Sequence, residues 1–534
     1  MQPSCPKTGL GSHGDPPEPT TELRGPRPPT PGATFRAGLP RSPATVRQVN
    51  YKPYGRPSPT LISRFHGFPF YSIGAMKILY PLSCLLSLVL ADQPGQAVRH
   101  PKYSTWMLES AIARGEGISP ADGLLGVIQK GLFQEALRAA IAQSSDAAEI
   151  ARWSGYHRRS VEANIEDLLN ATASSRDLSL DRLCVGRSIM EINLDEPLHR
   201  NVLKALRKSL ELQYRNENAG LWYFVDPPPP YPPYGNLSYS DGMYGFAPFA
   251  ALYGMTYGDP GVNLDAALLQ LDLLYTQSIE PSTGLIKHGY DASRDAPWAH
   301  PITGASPIVW GRSLAWYLIG TVDTLEIIAS RSGDHSEDAR RTDKTVQRIR
   351  EIFQRLARAT VDAIEDSAGK TGRYAVWQVM DRPGEPGNFV EASASAMIAY
   401  VLAKGVRLGY LPGRSPSSET DGKHRAASSL WVQGPRPGFR DPVQSQDVLA
   451  VARALYQDVV AQFVVRRHED DTLDFLGTSI IASLHEEKPY YEYYTHRAVT
   501  TNSLIGTSAF ALASLEMERA ASERGWEGGN ITFY

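Results

Sequence analysis

From about residue 100 onward, apolar side chains recur at spacings of three and four, the pattern of amphipathic or buried helices. It predicts helices over 103–115, 123–142, 157–171, 183–192, 197–215, 242–257, 264–279, 309–330, 342–367, 391–408, 446–464 and 501–522. Strand-like alternation is scarce. Gly, Pro and aromatic residues crowd the connections at 226–235, 290–307 and 369–388, and the polar stretch 411–441 reads as a surface insertion. About twelve helices joined in this way suit an all-α fold. A closed double ring of six helical hairpins is favoured over an open solenoid, because no repeat of 30–50 residues is visible. Such a toroid has a cavity at the ends of its inner helices. A rim rich in Trp, Tyr and Gly suits carbohydrate, whose rings present flat apolar faces edged by hydroxyls.

The first 100 residues read differently. Residues 1–75 hold 15 of the 40 prolines, with 9 basic and 3 acidic side chains, a local +6, and no sustained period. Such a segment buries too little apolar surface to offset chain entropy and is expected to be disordered. Residues 76–91 then run from a Met through one Lys and an apolar stretch to Ala91, the layout of a secretory signal peptide. The expectation is that Met76 is the working start and that residues 1–75 come from a misassigned upstream start. The catalytic body would then be residues 100–534, secreted from the cell.

Composition narrows the function. The 534 residues carry 54 Lys+Arg against 57 Asp+Glu, a net charge of −3, without the basic footprint of a nucleic-acid binder. Without residues 1–91 the balance falls to about −10, which disfavours anionic membranes as well. Three cysteines rule out a disulfide scaffold or a Cys-based zinc cluster, and Cys184 alone follows the signal segment. Sequons at Asn170, Asn236 and Asn530 fit a secreted glycoprotein. Phosphate-binding Gly-rich loops, the Gly-x-Ser-x-Gly elbow and the His-Glu-x-x-His pair are missing, so phosphoryl transfer, α/β-hydrolase chemistry and zincin proteolysis are disfavoured.

The strongest chemical signal is the run 238–249, SYSDGMYGFAPF. Asp241 stands where a helix begins, a position that suits an N-cap. Beside Tyr239, Tyr244 and Trp222, it would also lie in a partly apolar pocket that raises a carboxyl pKa and keeps a proton available. Asp181, in LDRLCVGRS, precedes another helix, and two carboxylates at neighbouring helix starts can converge on one sugar. A third cluster gathers His288, Trp298, Trp310, Arg312, Trp316 and Tyr317. Buried arginine needs a partner, and a uronic acid carboxylate would provide one for Arg312.

At these residues the chain resembles the unsaturated rhamnogalacturonyl hydrolases, glycoside hydrolase family 105, particularly their secreted fungal members. The blocks LDRLCVGRS, NENAGLWYF, YSDGMYGFAPF, TGLIKHGYDAS, WAHPITGASPIVWGRSLAWYLIGTVDTLE, FVEASASAMIAYVLAKGVRLGYL and TNSLIGTSAFALASLEMER carry the likeness, in order, from about 103 to 521. The resemblance implies an (α/α)6 barrel, no cofactor and no metal. It implies removal of the unsaturated galacturonyl residue from the non-reducing end of rhamnogalacturonan fragments, by hydration of the 4,5 double bond. By position, Asp241 would be the acid and Asp181 the second acidic residue. His288, Arg312 and Trp316 would contact substrate, with Trp310 on the same wall. Tyr223 follows Trp222 where many relatives have His, which puts the contact of this pair with the sugar in question. The expected partner is an unsaturated uronic-acid oligosaccharide, bound by a monomer, with no nucleic acid and no membrane. The alternatives are an unsaturated glucuronyl hydrolase, a polysaccharide lyase on a like toroid, and a non-catalytic carbohydrate-binding toroid.

Overall fold

The computed structural model describes residues 102–119, 126–192, 196–227, 234–331, 344–413 and 447–522. The expected disordered and signal segments, nearly all of the 411–441 insertion and Asn530 lie outside them.

Six helices form an inner ring: α2 (Gly126–Gln143), α6 (Leu183–Ile192), α8 (Gly242–Tyr257), α10 (Gly311–Arg331), α12 (Ala392–Arg407) and α15 (Leu504–Ser522). Each packs on the next, and α15 closes back onto α2. Around them run α1 (Tyr103–Ala113), α3 (Ala147–Glu162), α7 (Pro197–Glu211), α9 (Leu264–Ser278), α11 (Lys344–Thr371) and α13 (Val448–Phe463), and a short α14 (Tyr491–Thr495) precedes α15. This is the six-hairpin (α/α)6 toroid that the periodicity predicts.

The two rings differ for a reason legible in their residues. Inner helices are covered on all sides: α12 is buried from Ala392 through Gly405, and so it carries Ala, Ser and Gly where neighbours crowd it. Outer helices have one wet face. In α11 the buried positions include Val346, Ile349, Ile352, Phe353, Leu356, Thr360, Ile364 and Ser367, a stripe at three and four. Caps set the starts, as where Asn263 accepts from Ala266 N–H and Asp447 from Ala450 N–H.

One helix was misplaced by the periodicity. The segment 157–171 is not a single helix. Asp146 caps α3 by accepting from Ala148 and Glu149 N–H, so that helix starts at Ala147 and stops at Glu162. Two short helices follow, α4 (Ile165–Leu169) and α5 (Ala171–Asp177), the second capped by Asn170. The apolar spacing runs through the breaks, whereas the caps decide them.

Strands occur only as short antiparallel pairs among the described residues: β1 (Leu237–Tyr239) with β2 (Gly289–Asp291), β3 (Val464–Arg467) with β4 (Thr472–Phe475), and β5 (Thr478–Ser479) with β6 (Val499–Thr500). In the first pair Tyr239 faces Gly289 and Ser238 faces Tyr290. No described helix is long and apolar enough to cross a membrane.

One to three turns below the inner-helix starts, charges cross the ring. Asp323 of α10 pairs with Arg187 of α6 and with Lys404 of α12, the latter at 2.5 Å. Glu135 of α2 accepts from Tyr244 at 3.0 Å and Tyr400 at 2.9 Å. Burial raises the Glu135 carboxyl to about 7.

Candidate active site

All six inner helices start at the same end of the ring, so residues at their first turns converge. Asp181 lies in the single 3-10 turn Leu180–Arg182 that leads into α6. Asp241 immediately precedes α8, Arg312 is the second residue of α10, and Glu391 precedes α12. The first and second of these meet because residue 245 lacks a side chain. A Cβ on Gly245 would stand 2.8 Å from the Leu180 carbonyl oxygen and 3.1 Å from Asp181 Cα. The Asp181 turn therefore lies directly on the first turn of α8.

Neither aspartate is a helix cap. Asp241 stands at the N-cap position of α8, yet its side chain makes no capping bond. Its Oδ2 instead accepts from Ser313 Oγ at 2.5 Å and lies 3.3 Å from His288 Nε2. The cap before Asp181 is Ser179, which accepts from the Asp181 N–H. Asp181 Oδ2 accepts from Ser179 Oγ at 2.9 Å and from the Tyr223 hydroxyl. Its Oδ1 is buried with no hydrogen-bond partner. Desolvation dominates here and lifts the Asp181 carboxyl to about 7, with the nearby Asp241 charge adding to it and the Tyr223 bond opposing it.

Both carboxyl groups line one cavity of about 430 Å3, with Tyr223, Phe224, Tyr239, Trp310, Arg312 and Trp316 among its walls. Tyr223 and Tyr239 stack at 4.4 Å between ring centres, and Trp316 leans on Tyr244 at 4.6 Å. His288 lies behind Asp241 rather than in the cavity wall. Its Nδ1 is 2.7 Å from the Tyr494 hydroxyl, and its ring packs 4.7 Å from that of Trp310. Such a chamber, apolar in its walls with a few converging polar groups, fits a small ligand.

The sequence profile of Glycosyl Hydrolase Family 88 matches residues 129–420, more than half of the chain. The chain belongs to glycosyl hydrolase family 88. Protein Atu3128 of Agrobacterium fabrum is 34% identical over 184 residues, which make up 34% of this chain and 70% of that protein. Among solved structures, a family 105 glycoside hydrolase from C. acetobutylicum is similar at a TM-score of 0.60 and 22% identity, over 78% of this chain and 100% of that one. The unsaturated glucuronyl hydrolase of Bacillus sp. GL1 is similar at a TM-score of 0.50 and 14% identity, over 78% of this chain and 95% of that one. At these identities the structural likenesses carry the six-hairpin fold.

In this family member the residues singled out from sequence do not all meet. Asp181, Asp241, Tyr223, Trp310, Arg312 and Trp316 line the cavity, and His288 touches Asp241. Trp222 does not line it. Its ring packs edge-on against Tyr214 at 5.2 Å and lies against Gly235 instead. The account of Arg312 also needs correcting. The anion that neutralises it is Glu391, at 3.2 Å, with the Ser479 and Ile480 carbonyls at 2.7 and 2.9 Å. Its guanidinium further sits 4.8 Å from the Trp310 ring centre. Burial pulls the Arg312 pKa down, and Glu391 opposes that.

Several residues of the site escaped the sequence reading. Ser313 stands beside Arg312 in a block already quoted, and only its aim at Asp241 is new. Glu391 is the third residue of the block FVEASASAM, where an acid before a helix reads as a cap; it does cap, and it holds Arg312 as well. Tyr494 and the run 479–483 lie beyond residue 420 and have no periodic signal. His485 bonds the Tyr239 hydroxyl at 2.7 Å through Nδ1, and burial lowers its pKa to about 4. Among the described residues, no group of three or more His, Cys, Asp or Glu is placed to hold a metal ion.

Proposed function

We propose that this chain removes the unsaturated galacturonyl residue from the non-reducing end of rhamnogalacturonan and pectin fragments, by acid-assisted hydration of the 4,5 double bond. The observation that carries this reading is the pair of carboxyl groups, Asp181 and Asp241, on one aromatic-walled cavity at the inner-helix starts. Family membership supports glycosidase chemistry in general; the galacturonyl specificity is our own reading.

Asp241 acts as the acid. Its Oδ2 is steered by Ser313 and His288, and Tyr494 fixes the ring of that histidine from behind. The proton goes to carbon 4 of the alkene, and the resulting charge at carbon 5 is taken by a water oxygen. Loss of the water's second proton leaves a hemiketal. Opening it breaks the bond from carbon 5 to the ring oxygen, forms a ketone, and leaves a hemiacetal at carbon 1. That hemiacetal collapses to an aldehyde and releases the remaining sugar chain. Asp181, protonated below about pH 7, places a neutral carboxyl in the cavity wall near Asp241. Trp316 and Trp310 lie in the cavity wall and keep it apolar around the ring.

The test is loss of ultraviolet absorbance on a pectin-lyase digest, since the reaction consumes the conjugated uronate. Wild-type protein should remove the signal, and Asp241→Asn should lower the rate by about 10²–10⁴-fold with the fold intact by circular dichroism. An increase in absorbance would point to a lyase instead. Preference for unsaturated chondroitin disaccharide over unsaturated galacturonyl-rhamnose would move the assignment to a glucuronyl hydrolase.

A further inference from the structure

Behind Asp241 the polar contacts continue away from the cavity and end on a short helix. His288 Nε2 is buried, makes no well-aligned hydrogen bond, and lies 3.3 Å from Asp241 Oδ2. Across the ring, Nδ1 is 2.7 Å from the Tyr494 hydroxyl. Tyr494 belongs to α14, beyond residue 420 where the family profile ends. Gln378 pins that helix to the cavity wall. Its Nε2 donates to the Tyr494 carbonyl at 3.1 Å, and its Oε1 accepts from Trp310 Nε1 at 3.1 Å. The His288 backbone is held as well: its N–H donates to the Ile308 carbonyl at 3.1 Å, and its carbonyl accepts from Ser240 N–H at 2.9 Å.

This chain of contacts has a direction. Tyr494 is fully buried, and burial pushes its phenol well above the usual range, so it keeps its proton. Among the described residues the hydroxyl bonds only His288 Nδ1. A buried O–H without an acceptor is costly, whereas an oxygen lone pair left unused costs little. Tyr494 therefore donates, Nδ1 is the bare nitrogen, and Nε2 carries the hydrogen. Ser313 Oγ is nearer to Asp241 Oδ2, at 2.5 Å, than to the His288 carbonyl, at 3.2 Å, so its hydrogen also goes to the carboxyl group. Oδ2 then faces two donors, and a proton on Asp241 belongs on the other oxygen, Oδ1.

We propose that Tyr494 is a positioning residue for Asp241: by donating to Nδ1 it holds His288 in the Nε2–H tautomer, which keeps Oδ2 an acceptor and the transferable proton on Oδ1. The opposite tautomer would turn a lone pair toward Asp241 and draw the acid's proton onto the ring, away from the alkene. Once the proton has moved to carbon 4, the carboxylate left behind attracts the same Nε2–H, so this long contact strengthens as charge develops. The inference deepens the proposed reaction and rests on it.

The experiment reads the tautomer and the kinetics together. Nitrogen NMR of 15N-histidine-labelled protein, with the His288 signals assigned by their loss in His288→Gln, should show Nε2 protonated and Nδ1 bare at the pH of the assay. A protonated Nδ1 in wild-type protein would overturn the proposal without any variant. Tyr494→Phe keeps the ring and removes only the hydroxyl. The Nδ1–H form should then become populated, and kcat on a pectin-lyase digest should fall about tenfold, the worth of one neutral hydrogen bond, with KM within twofold. An unchanged kcat would overturn the proposal, and so would a lower kcat with the tautomer unmoved, which would make Tyr494 a packing residue. If wild-type protein left the digest untouched, the proposed activity would fail first and the role of Tyr494 with it.

Discussion

Asp181 has one carboxylate oxygen held by two hydroxyls and the other bare, inside a wall of tyrosine rings. Its folded-state pKa, about 7, stands above the ordinary carboxylate value, so the fold favours the protonated form. Between pH 4 and 7 the native state therefore binds more protons here than the unfolded chain does, and stability is lost as pH rises through that window. Asparagine mimics the protonated group. The melting temperature of Asp181→Asn should thus gain on that of wild-type protein from pH 4 to pH 8, read by thermal melts at each pH. A difference that stays constant would remove the burial argument. Part of this residue chemistry was legible in the sequence: two acids at helix starts among aromatics suffice to nominate Asp181 and Asp241. Their hydrogen bonds were not. Ser313 and Tyr494 are 72 and 253 residues from Asp241 in the chain, and no local pattern ties them to it.

At the scale of elements, the site depends on how closely the turn before α6 approaches the first turn of α8. Gly245 sets that distance, and an alanine there would drive its Cβ into the Leu180 carbonyl. Backbone cannot yield as a side chain does, so Gly245→Ala should shift the Asp181 turn away from Asp241. The expected cost in stability is about 1–3 kcal/mol, with a fall in turnover beyond what that cost explains. Gly186→Ala is the control. Its Cβ meets only the side chains of Leu206 and Phe249, so a comparable loss in denaturant midpoint should come with turnover kept. Equal losses of turnover in both variants would mean that Gly245 is an ordinary packing glycine. The same scale explains the misread 157–171 segment: periodicity locates apolar faces, and the caps at Asp146 and Asn170 locate the ends.

For the whole molecule, ring closure has to hold six inner helices whose first turns carry the chemistry. The Asp323 carboxylate, fully buried between Arg187 and Lys404, ties α10 to α6 and α12 below the cavity. Removing one partner from a buried network leaves charge unmatched, which costs about 3–5 kcal/mol. Asp323→Asn should lower the free energy of unfolding in urea by that amount. Leu318→Ala on the same helix deletes only apolar contact and should cost about 2–5 kcal/mol without changing how stability varies with salt. Salt dependence that is the same in both variants would argue against a charge network as the brace.

Spacing of apolar residues by itself determined that the chain is helical and double-layered, because burial on one face or on all faces leaves its period in the sequence. Composition determined that the ring is neither basic nor cysteine-stapled, and local motifs nominated the two aspartates and the tryptophans. Only the tertiary structure decided which of these meet. It kept Trp222 out of the cavity that Tyr223 lines, matched Arg312 with Glu391, and aimed Ser313 at Asp241. The reason is physical: those contacts are made between first turns and connections far apart in the chain, and their geometry is set by how the ring closes rather than by the residues beside them.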